Sequence, residues 1–204
     1  MRKLALLEPL LLFGMIVAYI WKLRYIHPMC WIVIPALMIV SHLLHHESPR
    51  ALGFQLHNLA DTLSELGPLL ILIVVGLLAA GIALGTVRPI SSMDALLALA
   101  AYLPWGLSQQ YALNGYFLNR FEAALSHRGA SLLTALFFCA AHAPNPFLLA
   151  ITLPLGWYST LVYRRRRNLY VLGIAHAALG LVLLLVVPDS ISRHLRVGPG
   201  WFRR

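Results

Sequence analysis

Between Glu65 and Arg88 the chain carries no charged side chain, and Leu69 to Leu84 inside that stretch is continuously apolar. About 20 such residues, coiled as a helix, cross the hydrocarbon of a bilayer. The rest of the chain has the same character. Sixty per cent of its 204 residues are hydrophobic and 11% are charged, against about 25% in soluble domains. A soluble core has no means of hiding so much apolar surface, and a mean hydropathy of +0.76 agrees. Sixteen Lys and Arg against seven Asp and Glu give a formal charge of +9. In a soluble chain that balance would point to nucleic acid. Here the basic residues punctuate apolar runs, which fits lipid headgroups and the setting of topology. The bilayer is the expected partner, and no nucleic acid is. Cys30 and Cys139 lie far apart in apolar stretches and form no motif.

Hydropathy divides the chain into about seven apolar segments: Leu6 to Ile20, Met29 to Leu44, Leu69 to Leu84, Ala95 to Arg120, Ser131 to Ala141, Phe147 to Tyr163 and Leu169 to Val187. The expected fold is an all-α polytopic membrane bundle of about 6–8 helices, one membrane domain over residues 1–204. Trp21, Lys22, Arg24 and Tyr25 read as an interfacial anchor, as does the basic tail 188–204 with Trp201 and Phe202. In the polar stretch from His45 to Gly67, Ala60-Asp61-Thr62-Leu63 is expected to open a helix lying on the membrane surface. The Arg164-Arg165-Arg166-Arg167 run is expected to face the cytoplasm of a bacterial-type inner membrane. Seven simple crossings would then put the tail outside. The segment near 131–143 is short for a crossing and is the one suspected of being re-entrant.

Polar groups in hydrocarbon are costly unless partnered, so they are candidates for function. Three clusters stand out. Gln109, Gln110, Tyr111 and Asn114 lie in one segment, and Gln110 and Asn114 are four apart, on one helix face. Phe138 and His142 share a face in the next segment. His176 and Gly180 do so in the last.

These residues resemble the CPBP (Abi) intramembrane protease family, which includes the CAAX prenyl endopeptidases. That family carries Glu-Glu-x-x-x-Arg, Phe-x-x-x-His and His-x-x-x-Asn on successive membrane helices. The corresponding residues are Gln109-Gln110-x-x-x-Asn114, Phe138-x-x-x-His142 and His176-x-x-x-Gly180. Gly156-Trp157-Tyr158 and Asn168-Leu169 fit as well. The resemblance covers about 95–187; the first 90 residues match in hydropathy alone. It implies a site among these helices, with His142, His176, Gln110, Gln109 and Asn114 catalytic and Phe138, Tyr111 and Gly180 against a lipidated peptide or an isoprenoid.

The departures bear on chemistry. In the family a glutamate of the pair is taken as the base that activates water. Both positions are amides here, and an amide cannot take up a proton near neutral pH. Both histidines remain, and histidine titrates near neutrality. Three readings follow: a membrane hydrolase with histidine as base, a non-proteolytic enzyme acting on an isoprenoid or other lipid, or an inactive pseudoprotease that binds a lipidated partner. A membrane binding protein without catalysis stays open beside them. No cofactor is assigned, and a divalent metal stays open. His142 and His176 fall short of the three protein ligands usual for catalytic zinc, with Glu8 or Glu122 the acids near span ends that would have to complete a divalent metal site. His42, His45, His46 and Glu47, like His57 and Asp61, read as solvated ends of membrane segments.

Overall fold

The computed structural model describes residues 2–203, with side chains described from Leu6 onward. Among the described residues every regular element is helical. Helix α1 (Arg2–Ala18) continues through a π-helical turn (Tyr19–Leu23) and a last turn (Arg24–Ile26). A 3-10 turn (Pro28–Ile32) then leads into α2 (Val33–Leu44). Helix α3 spans Leu59–Ala83 and α4 spans Ser92–Gln110. The latter runs on as a π-helix (Tyr111–Leu118) and a final turn (Asn119–Glu122). Helices α5 (His127–Ala140), α6 (Pro146–Arg166) and α7 (Leu169–Val186) complete the bundle.

Local sequence sets the starts of the last four helices. Ser91, Ser126, Asn145 and Asn168 each accept a backbone N–H three residues on, from Asp94, Gly129, Leu148 and Val171. An N-cap of this kind satisfies a donor that a helix end otherwise leaves open. Four helices are long and apolar enough to cross a membrane: Leu6–Ile26, Leu59–Ala83, Pro146–Arg166 and Leu169–Val186. Their outward faces carry exposed Leu, Ile and Val, such as Leu72, Ile82 and Ile174. Buried positions include Gln110, Asn114, Arg120, Thr134 and Ser159. Apolar outside and polar inside is the arrangement hydrocarbon demands. This is an integral membrane protein.

The surface helix expected at Ala60 is not separate. Residues from Leu59 to Ala83 form one helix that passes through Pro68. Its polar start is an end of the span: Glu65 pairs with Arg165 at 2.8 Å and Arg166 at 2.6 Å, which anchors the first turns instead of breaking them.

Contacts fix two opposite ends. At one, Glu8 meets Arg120, Glu122 meets Arg164, and Asn58 and Gln55 donate to the carbonyls of Arg166 and Arg167. At the other, Arg88 pairs with Asp189, Arg24 donates to the Val197 carbonyl and the Gly198 N–H donates to Ala143 O. The seven helices alternate between these ends. The tail therefore sits opposite the arginine run. Helix α5 has 14 residues, about 21 Å at 1.5 Å each. It stops short of the tail end, and the turn 141–145 follows.

The core pairs α4 with α7, α5 with α6 and α3 with α7. The first pairing depends on glycine. A Cβ on Gly106 would stand 2.5 Å from the Gly173 carbonyl oxygen and 2.8 Å from Ala177 N, and one on Gly173 would stand 2.8 Å from Leu107 Cα. Backbones this close are the small-residue mode of membrane helix packing. Gly106→Ala is expected to part the helices and lower stability by about 1–3 kcal/mol, the usual range for overpacking. Gly76→Ala, where the added Cβ meets nothing within 4 Å, is the control. Thermal unfolding of the two variants in detergent checks it; equal midpoints would contradict this packing.

Candidate functional site

Helix α4 delivers Gln110 and Asn114 to the centre of the bundle. Its π-helical stretch begins at Tyr111, and such widened turns are frequent at functional sites. Gln110 is 5% exposed and Asn114 is fully buried. The Asn114 Nδ2 donates to Gln110 Oε1 at 2.6 Å and to Ser159 Oγ on α6 at 3.2 Å. Ser159 in turn donates to the Gly156 carbonyl at 3.0 Å. The Gln110 carbonyl is thus occupied, and its amide nitrogen lies 3.2 Å from Nδ1 of His176 on α7. The α4–α7 glycine contact brings these two residues together.

His142 follows the end of α5. Its Nδ1 lies 2.6 Å from the Phe138 carbonyl. The Phe138 ring touches both imidazoles edge-on, with centroids 4.7 Å from His142 and 5.8 Å from His176. Gly156 makes room for that ring, since a Cβ there would stand 3.0 Å from it. Counted along their helices from the arginine end, His176 lies about 11 Å in and Phe138 about 16 Å. Hydrocarbon about 30 Å thick is deep enough to enclose both.

The partners assign the protons. A carbonyl only accepts, so His142 carries its hydrogen on Nδ1, and the neutral ring leaves Nε2 as a bare acceptor. An amide NH2 only donates, so Nδ1 of His176 is the acceptor and its hydrogen is on Nε2. The two imidazoles flank one phenylalanine with opposite tautomers: one offers a lone pair, the other an N–H. Asn114 Oδ1 is buried without a partner among the described residues, an acceptor left open next to them.

Not every candidate joins. Gln109 is half-buried and makes no side-chain hydrogen bond among the described residues. Tyr111 packs instead against His42 and Phe54, with centroids at 5.6 and 5.7 Å. Gly180 lies against Tyr102, whose ring would stand 2.9 Å from an added Cβ. Among the described residues no group of three or more His, Cys, Asp and Glu comes together to hold a metal. Glu8 and Glu122, the two acids that would have had to join the histidines, are committed to Arg120 and Arg164.

Residues 91–182, a little under half of the chain, match the family model described as "Rce1-like: Type II CAAX prenyl endopeptidase Rce1-like". Over that stretch the chain is similar to the CAAX-protease family. The match opens at Ser91, the cap of α4, and takes in Gln110, Asn114, Phe138, His142 and His176. Nothing among curated proteins or solved structures matches.

Beside this site lies a cluster built on His42 and Glu47, residues expected from sequence at a solvated end. His42 is 4% exposed and Arg120 is 5% exposed. Arg120 reaches Glu47 at 2.6 Å, Glu8 at 3.2 Å and Ser41 at 2.8 Å; Tyr116 donates to Glu8 at 2.9 Å and His42 bonds Glu47 at 2.7 Å. Arg120 lies beyond the motif spacing, and its acids come from α1 and from the connection after α2. Sequence distance therefore gave no signal for the cluster. Burial alone would push the Glu47 carboxyl up. Hydrogen bonds from Arg120 and His42, with the Arg120 charge, outweigh it and hold Glu47 below the ordinary 4.5.

A depressed carboxyl pKa stabilises the fold above the ordinary value and ceases to do so as pH falls through the lowered one. The stability difference between wild type and Glu47→Gln is expected to shrink as pH drops below 4.5; an unchanged difference through that range would contradict the pairing. The tautomers have their own test. Histidine 15N spectra should show hydrogen on Nδ1 of His142 and on Nε2 of His176, with Gln110→Glu moving the latter to Nδ1. A single tautomer for both rings would contradict the network.

Proposed function

We propose that the protein is an intramembrane hydrolase of the CAAX-protease type, acting on a lipidated or membrane-embedded peptide with His142 as general base. The observation that carries this reading is the placement of His142 and His176 on either side of Phe138, with Nδ1 of one at a carbonyl and Nδ1 of the other at the Gln110 amide nitrogen. His142 Nε2 accepts a proton from water as the water oxygen attacks the substrate carbonyl. His176 Nε2–H donates to the oxygen on which negative charge develops. The proton on His142 then passes to the leaving amine as the C–N bond breaks. Gln110, held by Asn114 and Ser159, keeps His176 in the donating tautomer; it positions the donor and takes no proton itself. A base contributes about 10²–10⁴ in rate and an oxyanion donor about 10²–10³. Two imidazoles thus supply what the family's glutamate would otherwise begin.

The burial of the site favours an amphipathic substrate, and the likeness to a type II CAAX prenyl endopeptidase favours prenylated peptides. The positive-inside rule favours a cytoplasmic face for the Arg164–Arg167 end, in an inner membrane of bacterial type.

One observation favours a second reading, binding without cleavage. Among the described residues no acidic side chain hydrogen-bonds to Gln110, His142 or His176, and Glu8, Glu47, Glu65 and Glu122 are all held in ion pairs elsewhere. Cleavage of a prenylated CAAX-type peptide by the purified full chain separates the two. The hydrolase reading expects His142→Ala to cut the rate by about 10²–10⁴ and expects Gln110→Glu not to restore it. Cleavage that persists in His142→Ala, or that Gln110→Glu restores, would sink the assignment of His142. Wild-type chain that retains the peptide uncut would favour the binding reading.

A further inference from the structure

At the end opposite the arginine run, the tail folds into a basic cavity. Asp189, Ser190, Arg193, His194, Arg196 and Arg203 line about 220 Å³, several times the roughly 30 Å³ share of one water. Asp189 is already paired, to Arg88 and, at 2.8 Å, to His194. Arg193, Arg196 and Arg203 have no acidic partner among the described residues. Each is nonetheless held in place. Arg193 lies 5.6 Å over the Trp201 ring, Arg203 lies 4.5 Å over the Tyr25 ring, and Arg196 Nη1 donates to the Arg203 carbonyl at 3.0 Å.

The backbone there is unusual. Arg193, His194 and Leu195 take φ of 50, 53 and 55°, three successive non-glycine residues in the left-handed region. Such residues persist only where their surroundings over-determine them, often at ligand clamps. The surroundings here are specific. Asn145, fully buried, donates to the carbonyls of Ser192 at 2.9 Å and Arg196 at 3.1 Å, on either side of the turn.

We infer that this cavity is a binding site for a phosphate group at the membrane surface. Planar guanidiniums match phosphate oxygens two at a time, and their stacking on aromatic rings organises them before the anion arrives. Exposed Ile191 and Phe202 are the chain neighbours of the lining residues Ser190 and Arg203, a pairing of apolar and basic surface that suits a phospholipid. The same chemistry would take free phosphate. The inference does not depend on the hydrolase reading. The tail nevertheless bonds to the turn that carries His142, through Asn145 and through Gly198 N–H to Ala143 O at 2.8 Å. An occupied cavity would stiffen that turn.

The test is native mass spectrometry of the full chain in detergent, with phosphatidylglycerol, with phosphatidylcholine and with inorganic phosphate. A triple variant, Arg193→Gln, Arg196→Gln, Arg203→Gln, is set against Arg164→Gln, Arg165→Gln, Arg167→Gln at the far end. Phosphatidylglycerol retention should fall more than about tenfold in the first and much less in the second, since each surface arginine contributes to anionic-lipid attraction. Retained phosphatidylglycerol that inorganic phosphate does not displace marks a lipid site; binding of inorganic phosphate without lipid retention marks a free-phosphate site. Equal retention of both anions in the two triple variants would overturn the inference. If the first variant does not fold, Arg193→Gln alone decides, because that guanidinium is held by the Trp201 ring: an unchanged affinity there overturns it as well.

Discussion

Where Gly106 meets Gly173, two helix backbones touch with no side chain between them. The rest of the site depends on that contact. It sets α4 against α7 closely enough for Gln110 to reach His176 across 3.2 Å. A second glycine, Gly156, admits the Phe138 ring between α5 and α6, and the ring then borders both imidazoles. In hydrocarbon no hydrophobic force draws helices together, so close packing and hydrogen bonds must do it. Small residues here serve both stability and the placement of polar groups.

The polar interior divides into two regions with different physics. Around His176 the network contains no carboxylate and no guanidinium: two amides, a hydroxyl and an imidazole, with the His142 imidazole across Phe138. It fixes tautomers without bringing a net charge into the membrane. Around Arg120 the network is ionic, with Glu8 and Glu47 on one guanidinium. Such a pair of acids stabilises less than its Coulomb energy implies, because desolvation opposes it, yet removing one partner strands the others. It ties α1 and the connection after α2 to the end of α4, and so joins the first part of the chain to the part that holds the candidate site.

Much of the bundle was legible in the sequence because hydropathy is local. The apolar segments became helices near their expected places, while the caps at Ser91 and Ser126 came with the structure. The Gln110–Asn114 and Phe138–His142 pairs were legible for the same reason: residues four apart on a helix meet whatever surrounds them. Other features were not local. Asp61, Ser64 and Glu65 look like a surface segment until Arg165 and Arg166, a hundred residues on, turn them into the anchored start of a span. His42 looks solvated until Arg120 buries it.

By itself, then, the sequence determined that the chain lives in a membrane, where its apolar segments lie, and that Gln110, Asn114 and the motif histidines have to be hidden. Those follow from transfer energies and from contacts within a single turn. Only the tertiary structure decided which hidden groups face one another. Tyr111 and Gly180 belong to motif segments yet turn to His42, Phe54 and Tyr102, while Ser159, in no motif, supports Asn114. Helix rotation and crossing distance make that choice. They are set by packing between segments, through glycines whose role appears only when the opposing backbone is in place.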